Sequence, residues 1–175
     1  MSGHNKWSQI KGQKGVTDKK RSLLFSKLLA AIAIAAKQNP SPEANPRLRS
    51  AIEKAKENQV PLDNIERAVS KAKEQKNLEE VVVEAYGPES VAMIIEGITD
   101  NINRTISEIK HLLAENGAKF AEQGSVLWAF EKTGDGWKAK FPQNVSPEIK
   151  QKIDALIEKL EEHNDVQRVI TNANF

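Results

Sequence analysis

From Thr17 to about Asn77 the apolar residues recur at three- and four-residue spacing, the period of helices that bury one face. Leu24, Leu28, Ala31 and Ala35 form the stripe of a first helix, which the Thr17 hydroxyl can cap. Asn39-Pro40-Ser41-Pro42 ends it, because proline lacks an amide donor and restrains the residue before it. Asn45-Pro46 opens a second helix as cap and first position, with Leu48, Ile52 and Ala55 on one face. Val60-Pro61 opens a third, carrying Leu62, Ile65, Val69 and Ala72. Three short amphipathic helices joined by proline-marked turns predict a small bundle.

From residue 79 the pattern turns mixed. Val81–Tyr86 and Val91–Ile98 read as strands separated by Gly87-Pro88. Asn101–Asn116 reads as a helix with Ile102, Ile106, Ile109 and Leu113 inward, stopped by Gly117 at the C′ position. Val126, Trp128 and Phe130 alternate, as do Trp137, Ala139 and Phe141 against Lys138 and Lys140, the period of half-buried strands. Ser146-Pro147 caps a long last helix with Ile149, Ile153, Leu156, Ile157 and Leu160 inward, and Val166–Thr171 makes a last strand. The order, close to β-β-α-β-β-α-β, predicts an α+β protein: a three-helix bundle followed by one ferredoxin-like α/β plait. The expected domains are a flexible basic arm over residues 1–16, the bundle over 17–78 and the plait over 79–175.

Composition narrows the class. The 175 residues are 39% hydrophobic and 29% charged, which suits a globular protein with a real core. No apolar run approaches the roughly 20 residues that span a bilayer. Lys19-Lys20-Arg21 ahead of the apolar stretch 28–36 imitates a signal peptide, but the charges lie far from Met1 and no extracellular pattern follows, so secretion is not expected. Without cysteine there is no disulfide scaffold, thiol nucleophile or Cys-based metal site.

Charge divides the chain. Residues 1–78 hold sixteen Lys and Arg against seven Asp and Glu, a net +9, while residues 79–175 hold ten against seventeen, a net −7. Such asymmetry points to a part that faces a polyanion, attached to a more acidic part.

Catalytic chemistry finds no footing. His4, His111 and His163 stand far apart and share no metal-ligand spacing, so no metal is expected; His111, a turn from Glu108 and Glu115, reads as part of a solvated helix face. The glycines spell no phosphate-cradling loop, Gly134-Asp135-Gly136 reads as a hairpin turn, and no nucleophile elbow is present. A protein without catalysis and without a cofactor is the expectation.

What remains is a binding signal. Lys6, Trp7, Lys11 and Lys14 alternate with polar residues in a segment too polar to pack. Lysine binds phosphate by charge and counterion release, and tryptophan can stack on a base. Lys19, Lys20 and Arg21 fall in the first turn of the first helix, where cations oppose the helix dipole at a few tenths of a kcal/mol each, a cost that a phosphate partner would offset. Lys27 continues the series; Arg47 and Arg49, just past the second helix opening, either extend the basic surface or are ordinary solvated arginines. Trp128 and Phe130 could form an RNA-stacking sheet, but sharing a face with Val126 favours core packing.

Several segments together resemble the YebC/PmpR family, which includes the mitochondrial translational activator of cytochrome c oxidase. They are Gly3-His4-Asn5-Lys6-Trp7, Asp18-Lys19-Lys20-Arg21, Asn45-Pro46-Arg47-Leu48-Arg49, Pro61-Leu62-Asp63-Asn64-Ile65, Tyr86-Gly87-Pro88, Asn103-Arg104-Thr105, Gly124-Ser125-Val126 and Asp165-Val166-Gln167. The resemblance implies a helical bundle followed by ferredoxin-like modules, in a cytoplasmic, non-catalytic regulator of gene expression that binds DNA. The alternative it implies is a ribosome-associated translation factor on ribosomal RNA. Two departures stand out. Family members carry a further α/β domain between the segments matching Gly134–Gly136 and the last helix, which is lacking here. Glu89-Ser90 replaces residues that are commonly glycine, which predicts loss of any close backbone approach there.

Overall fold

A computed structural model describes residues 18–75, 77–134 and 136–174. The expected arm over 1–16, the Thr17 cap and Asp135 of the hairpin turn lie outside the described residues. The described chain gathers into two compact units, one of residues 18–80 with 98–101, the other of residues 81–97 with 102–174. None of the described helices is long and apolar enough to cross a membrane.

The first unit is built on α1 (Asp18–Ala36), α2 (Pro46–Glu57) and α3 (Leu62–Lys71). α1 packs on both others around Leu28, Ile32, Leu48, Val60 and Ile65. The turn between α1 and α2 is held by one buried side chain, Asn45. Its Oδ1 accepts from the Leu48 amide at 3.0 Å as the α2 cap, while its Nδ2 donates to the carbonyls of Ala35 at 2.9 Å and Asn39 at 2.7 Å. Pro46 follows as the first helical residue, where its missing N–H costs nothing. Leu62 departs from the expected stripe and is 55% exposed. Helical side chains lean over the preceding turn, and Leu62, as the first residue of α3, has none beneath it.

The second unit is organised by β1 (Glu79–Tyr86), β2 (Ala92–Thr99), α4 (Ile102–Glu115), β3 (Lys119–Phe120), β4 (Phe130–Thr133), β5 (Gly136–Ala139), β6 (Gln143–Asn144), α5 (Pro147–Glu161), β7 (Val166–Thr171) and β8 (Ala173–Asn174). Four strands form one sheet in the order β3-β1-β2-β7. β3 runs antiparallel to β1 with Ala85 opposite Phe120, and β7 antiparallel to β2 with Ile94 opposite Ile170. Each edge strand thus follows a helix, the split arrangement of an α/β plait. The α+β class expected from the sequence is the fold observed.

Both sheet faces are covered. Val81, Val83, Val91, Met93 and Ile95 meet Ile109 and Leu113 of α4 and Ile153, Leu156 and Leu160 of α5. On the other face Ala92, Ile94 and Ile170 pack under Val126, Ala129 and Phe130. β2 is therefore apolar on both sides over its first half, which is why 91–95 reads as a continuous hydrophobic run ahead of Glu96. The α4 stop is as expected: Gly117 takes φ +70, and the amide of Ala118 reaches the Leu113 carbonyl at 2.9 Å. Ser146 caps α5 by accepting from the Ile149 amide at 3.3 Å.

Two expectations are corrected here. Val126–Phe130 is not a strand; Leu127–Ala129 forms a single 3-10 turn, and β4 starts only at Phe130. The cause is Glu84 on β1, a side chain only 4% exposed, whose carboxylate accepts from the amides of Gly124 (2.5 Å), Val126 (2.7 Å) and Leu127 (3.3 Å). Drawing three amides to one point curls the backbone, and Gly124, at φ +88, permits the entry into that curl. Trp128 then leaves the core, 59% exposed, while Val126 and Phe130 on either side remain buried. At Glu89 and Ser90 the backbone adopts the left-handed conformation that glycine favours, with φ 54 and 60, despite the side chains.

Candidate nucleic-acid interface

Four predicted contacts, Lys6, Trp7, Lys11 and Lys14, lie outside the described residues. Lys19, Lys20 and Arg21 occupy the first turn of α1 and all three are exposed. Successive helical residues are separated by about 100°, so the three cations surround the helix start rather than line one side. Asp18 is the only acid in that turn. The Arg21 guanidinium lies over the Phe25 ring, 5.3 Å from its centroid, which braces one cation against the helix. The free amides of a helix start and its positive dipole end add to the same field.

The other predicted cations are placed differently. Lys27 is only 4% exposed, one residue before Leu28 begins the apolar half of α1, and so does not share the exposed surface of Lys19, Lys20 and Arg21. Arg47 forms a two-pronged ion pair with Glu80 across 33 residues of sequence. Arg49 spans the turn ahead of α2, donating to the carbonyls of Pro42 and Glu43, each at 3.2 Å. In the same turn the Ser41 hydroxyl donates to Glu43 at 2.6 Å and, with the Glu43 amide and the Arg49 charge, holds that carboxyl below its ordinary value. Both arginines therefore have internal work within the helical unit, which their spacing from the α2 start did not reveal.

A second polar group, in the α/β unit, was missed by sequence reasoning because its members are about 60 residues apart. Asp165 accepts from the Thr105 hydroxyl at 2.6 Å and from Arg104 at 2.9 Å, joining two of the motif segments noted above. The Asp165 amide donates to His163 Nδ1 at 3.1 Å, which leaves Nε2 as the donor to Glu108 at 2.7 Å. Glu108, His163 and Asp165 gather ligand-type atoms within 4.8 Å of one another. Arg104 supplies positive charge to the group, and Asp165 Oδ2 is already shared by two donors, so the arrangement works as a clasp between the start of α4 and the entry to β7. His111 lies beside Glu115 on the exposed face of α4, as expected.

Residues 5–75 match the model of the TACO1/YebC protein N-terminal domain, and residues 78–135 that of the TACO1/YebC second and third domain. A probable transcriptional regulatory protein of Petrotoga mobilis is 43% identical over 179 residues, covering 98% of this chain and 70% of that protein. The chain belongs to the TACO1/YebC family. Another member, the probable transcriptional regulatory protein DET0444 of Dehalococcoides mccartyi, is 50% identical over 138 residues, 77% of this chain. The match spans only 55% of that relative's length. The crystal structure of a conserved hypothetical protein, Aq1575 from Aquifex aeolicus, superposes with a TM-score of 0.85 at 31% identity, covering 97% of this chain and 96% of that one.

Proposed function

We propose that this member of the TACO1/YebC family is a nucleic-acid-binding regulator of gene expression, with DNA as its target. The observation that carries the reading is the exposed Lys19-Lys20-Arg21 turn at the start of α1, in a half of the chain that bears a net +9. Cations at a helix start oppose its dipole, and a phosphate backbone offsets that cost. The names borne by the relatives in Petrotoga and Dehalococcoides, probable transcriptional regulatory proteins, support the same reading. The basic segment with Lys6, Trp7, Lys11 and Lys14 extends the contact, whereas Arg47 and Arg49 chiefly hold the bundle together. The regulatory names of those relatives support a role without catalysis.

Neutralising about six phosphates gives a slope near −5 for log affinity against log salt on duplex DNA. A salt titration by fluorescence anisotropy measures it, and a flat response removes the mechanism. Retention of a promoter fragment, compared with co-sedimentation with ribosomes at moderate salt, separates a DNA target from a ribosomal one.

A further inference from the structure

We propose that the Trp128–Phe141 pair in the α/β unit, with Lys140 beside it, is a stacking site for an unpaired nucleobase of a single-stranded nucleic acid. Both rings are more than half exposed, at 59% and 51%, and their centroids lie 5.8 Å apart with planes tilted by 36°. The inference rests on the nucleic-acid reading above and adds a second contact of a different kind: not charge, but stacking.

The rings are held ready. The Trp128 indole N–H donates to the Ser125 carbonyl at 2.8 Å, and the Tyr86 hydroxyl donates to the same carbonyl at 2.8 Å. The turn itself hangs on Glu84 through three amides. Phe141 is fixed from the other side: its amide and that of Lys140 reach the Ala129 carbonyl at 3.3 and 2.8 Å, and its own carbonyl accepts from Asn172 Nδ2 at 3.0 Å. With the indole's one polar atom already satisfied, the ring surface left in solvent offers only a π face. A site whose rings are ordered before binding loses little entropy when a base stacks on it.

Charge favours a nucleotide over an apolar partner. The Lys140 ammonium lies over the Phe141 ring, 5.4 Å from its centroid, where it would attract the phosphate of a nucleotide stacked on the neighbouring indole. Residues 128–141 hold Lys132, Lys138 and Lys140 against Glu131 and Asp135, a net +1 in a half of the chain that is otherwise acidic. Two rings also expose far less than the roughly 1,000 Å² that a stable protein interface needs.

The test uses the full chain and five labelled probes of equal length: oligo-dT, oligo-rU, a DNA duplex, an RNA duplex and an abasic deoxyribose-phosphate strand. Trp128→Ala and Phe141→Ala are each expected to weaken oligo-dT or oligo-rU binding by about 5- to 30-fold. Binding of both duplexes and of the abasic strand should stay unchanged. Which of dT and rU suffers more identifies DNA or RNA as the source of the base. Phe141→Ala leaves the indole hydrogen bond intact, so its loss of affinity cannot come from an unmade turn. Equal affinity of both variants for dT and rU overturns the stacking site, as does an equal loss on the abasic strand. A wild-type dimer that either variant dissociates in sedimentation velocity assigns the rings to self-association instead. If the wild type binds none of the five probes, the nucleic-acid reading itself fails; if it binds and the variants bind alike, only the stacking site does.

Discussion

Glu84 determines more local structure than any apolar residue near it. A buried side chain that accepts three backbone amides is worth far more than the same carboxyl in solvent, because its removal leaves all three donors unpaired. Glu84→Ala should destabilise the protein by about 3–4 kcal/mol in urea unfolding, and Glu84→Gln by about half as much, since an amide oxygen still serves some of the donors. A loss under 1 kcal/mol for the alanine variant would mean that the turn finds its donors elsewhere. Glu89 and Ser90 present the opposite case. Both hold left-handed backbone at φ 54 and 60, which costs a side-chain-bearing residue about 1–2 kcal/mol. Glu89→Gly and Ser90→Gly should each raise stability by roughly 0.5–1 kcal/mol, the relief being partly offset by glycine's greater chain entropy. A fall in the thermal midpoint would show that the side chains themselves support the turn.

Among the elements, the helix starts carry the most readable chemistry. Asn45 caps α2 and also donates to two carbonyls, that of Ala35 in the last turn of α1 and that of Asn39 just beyond it. Asn45→Ala should therefore cost about 2–3 kcal/mol, more than a lone cap. Asn45→Asp is the sharper test: the cap survives, but a carboxylate then faces the Ala35 and Asn39 carbonyls, so most of the loss should remain. At the α5 start, the Glu148 amide and the Ser146 hydroxyl hold the Glu148 carboxyl below its ordinary 4.5. A carboxyl depressed by folding contributes its stabilisation above 4.5 and loses it as pH falls through the lower folded value. An NMR titration should place the Glu148 midpoint under 4.5, and Ser146→Ala should move it back toward that value. Helix and strand positions were legible in the sequence wherever periodicity agreed with a local stop or cap, as at Asn45-Pro46, Gly117 and Ser146-Pro147. The alternation of Val126, Trp128 and Phe130 misled because no ladder partner enforces a strand there, while Glu84, some forty residues earlier, enforces a turn.

For the whole molecule, charge is the property that bears on function. Lys19→Glu combined with Lys20→Glu puts acids at the start of α1, where they suit the helix dipole, so folding stability should hold or rise by a few tenths of a kcal/mol. Duplex affinity should fall for all sequences alike, and the salt slope should shrink by about 2 as two phosphate contacts disappear. Loss confined to one DNA sequence would point to base reading by these residues and not to phosphate contact.

The sequence by itself determined the helical bundle, the α/β order that follows it, the asymmetry of charge and the family, because each is written in local periodicity, in composition or in contiguous motifs. Only the tertiary structure decided which cations remain available to a ligand. Lys27 is buried, Arg47 and Arg49 are drawn to acids and carbonyls of their own unit, and Asp165 meets Arg104 and Thr105 from some sixty residues away. It also decided that Trp128 faces solvent. Pairings of that kind depend on where distant segments are brought together in folding, and no nearest-neighbour pattern along a chain encodes them.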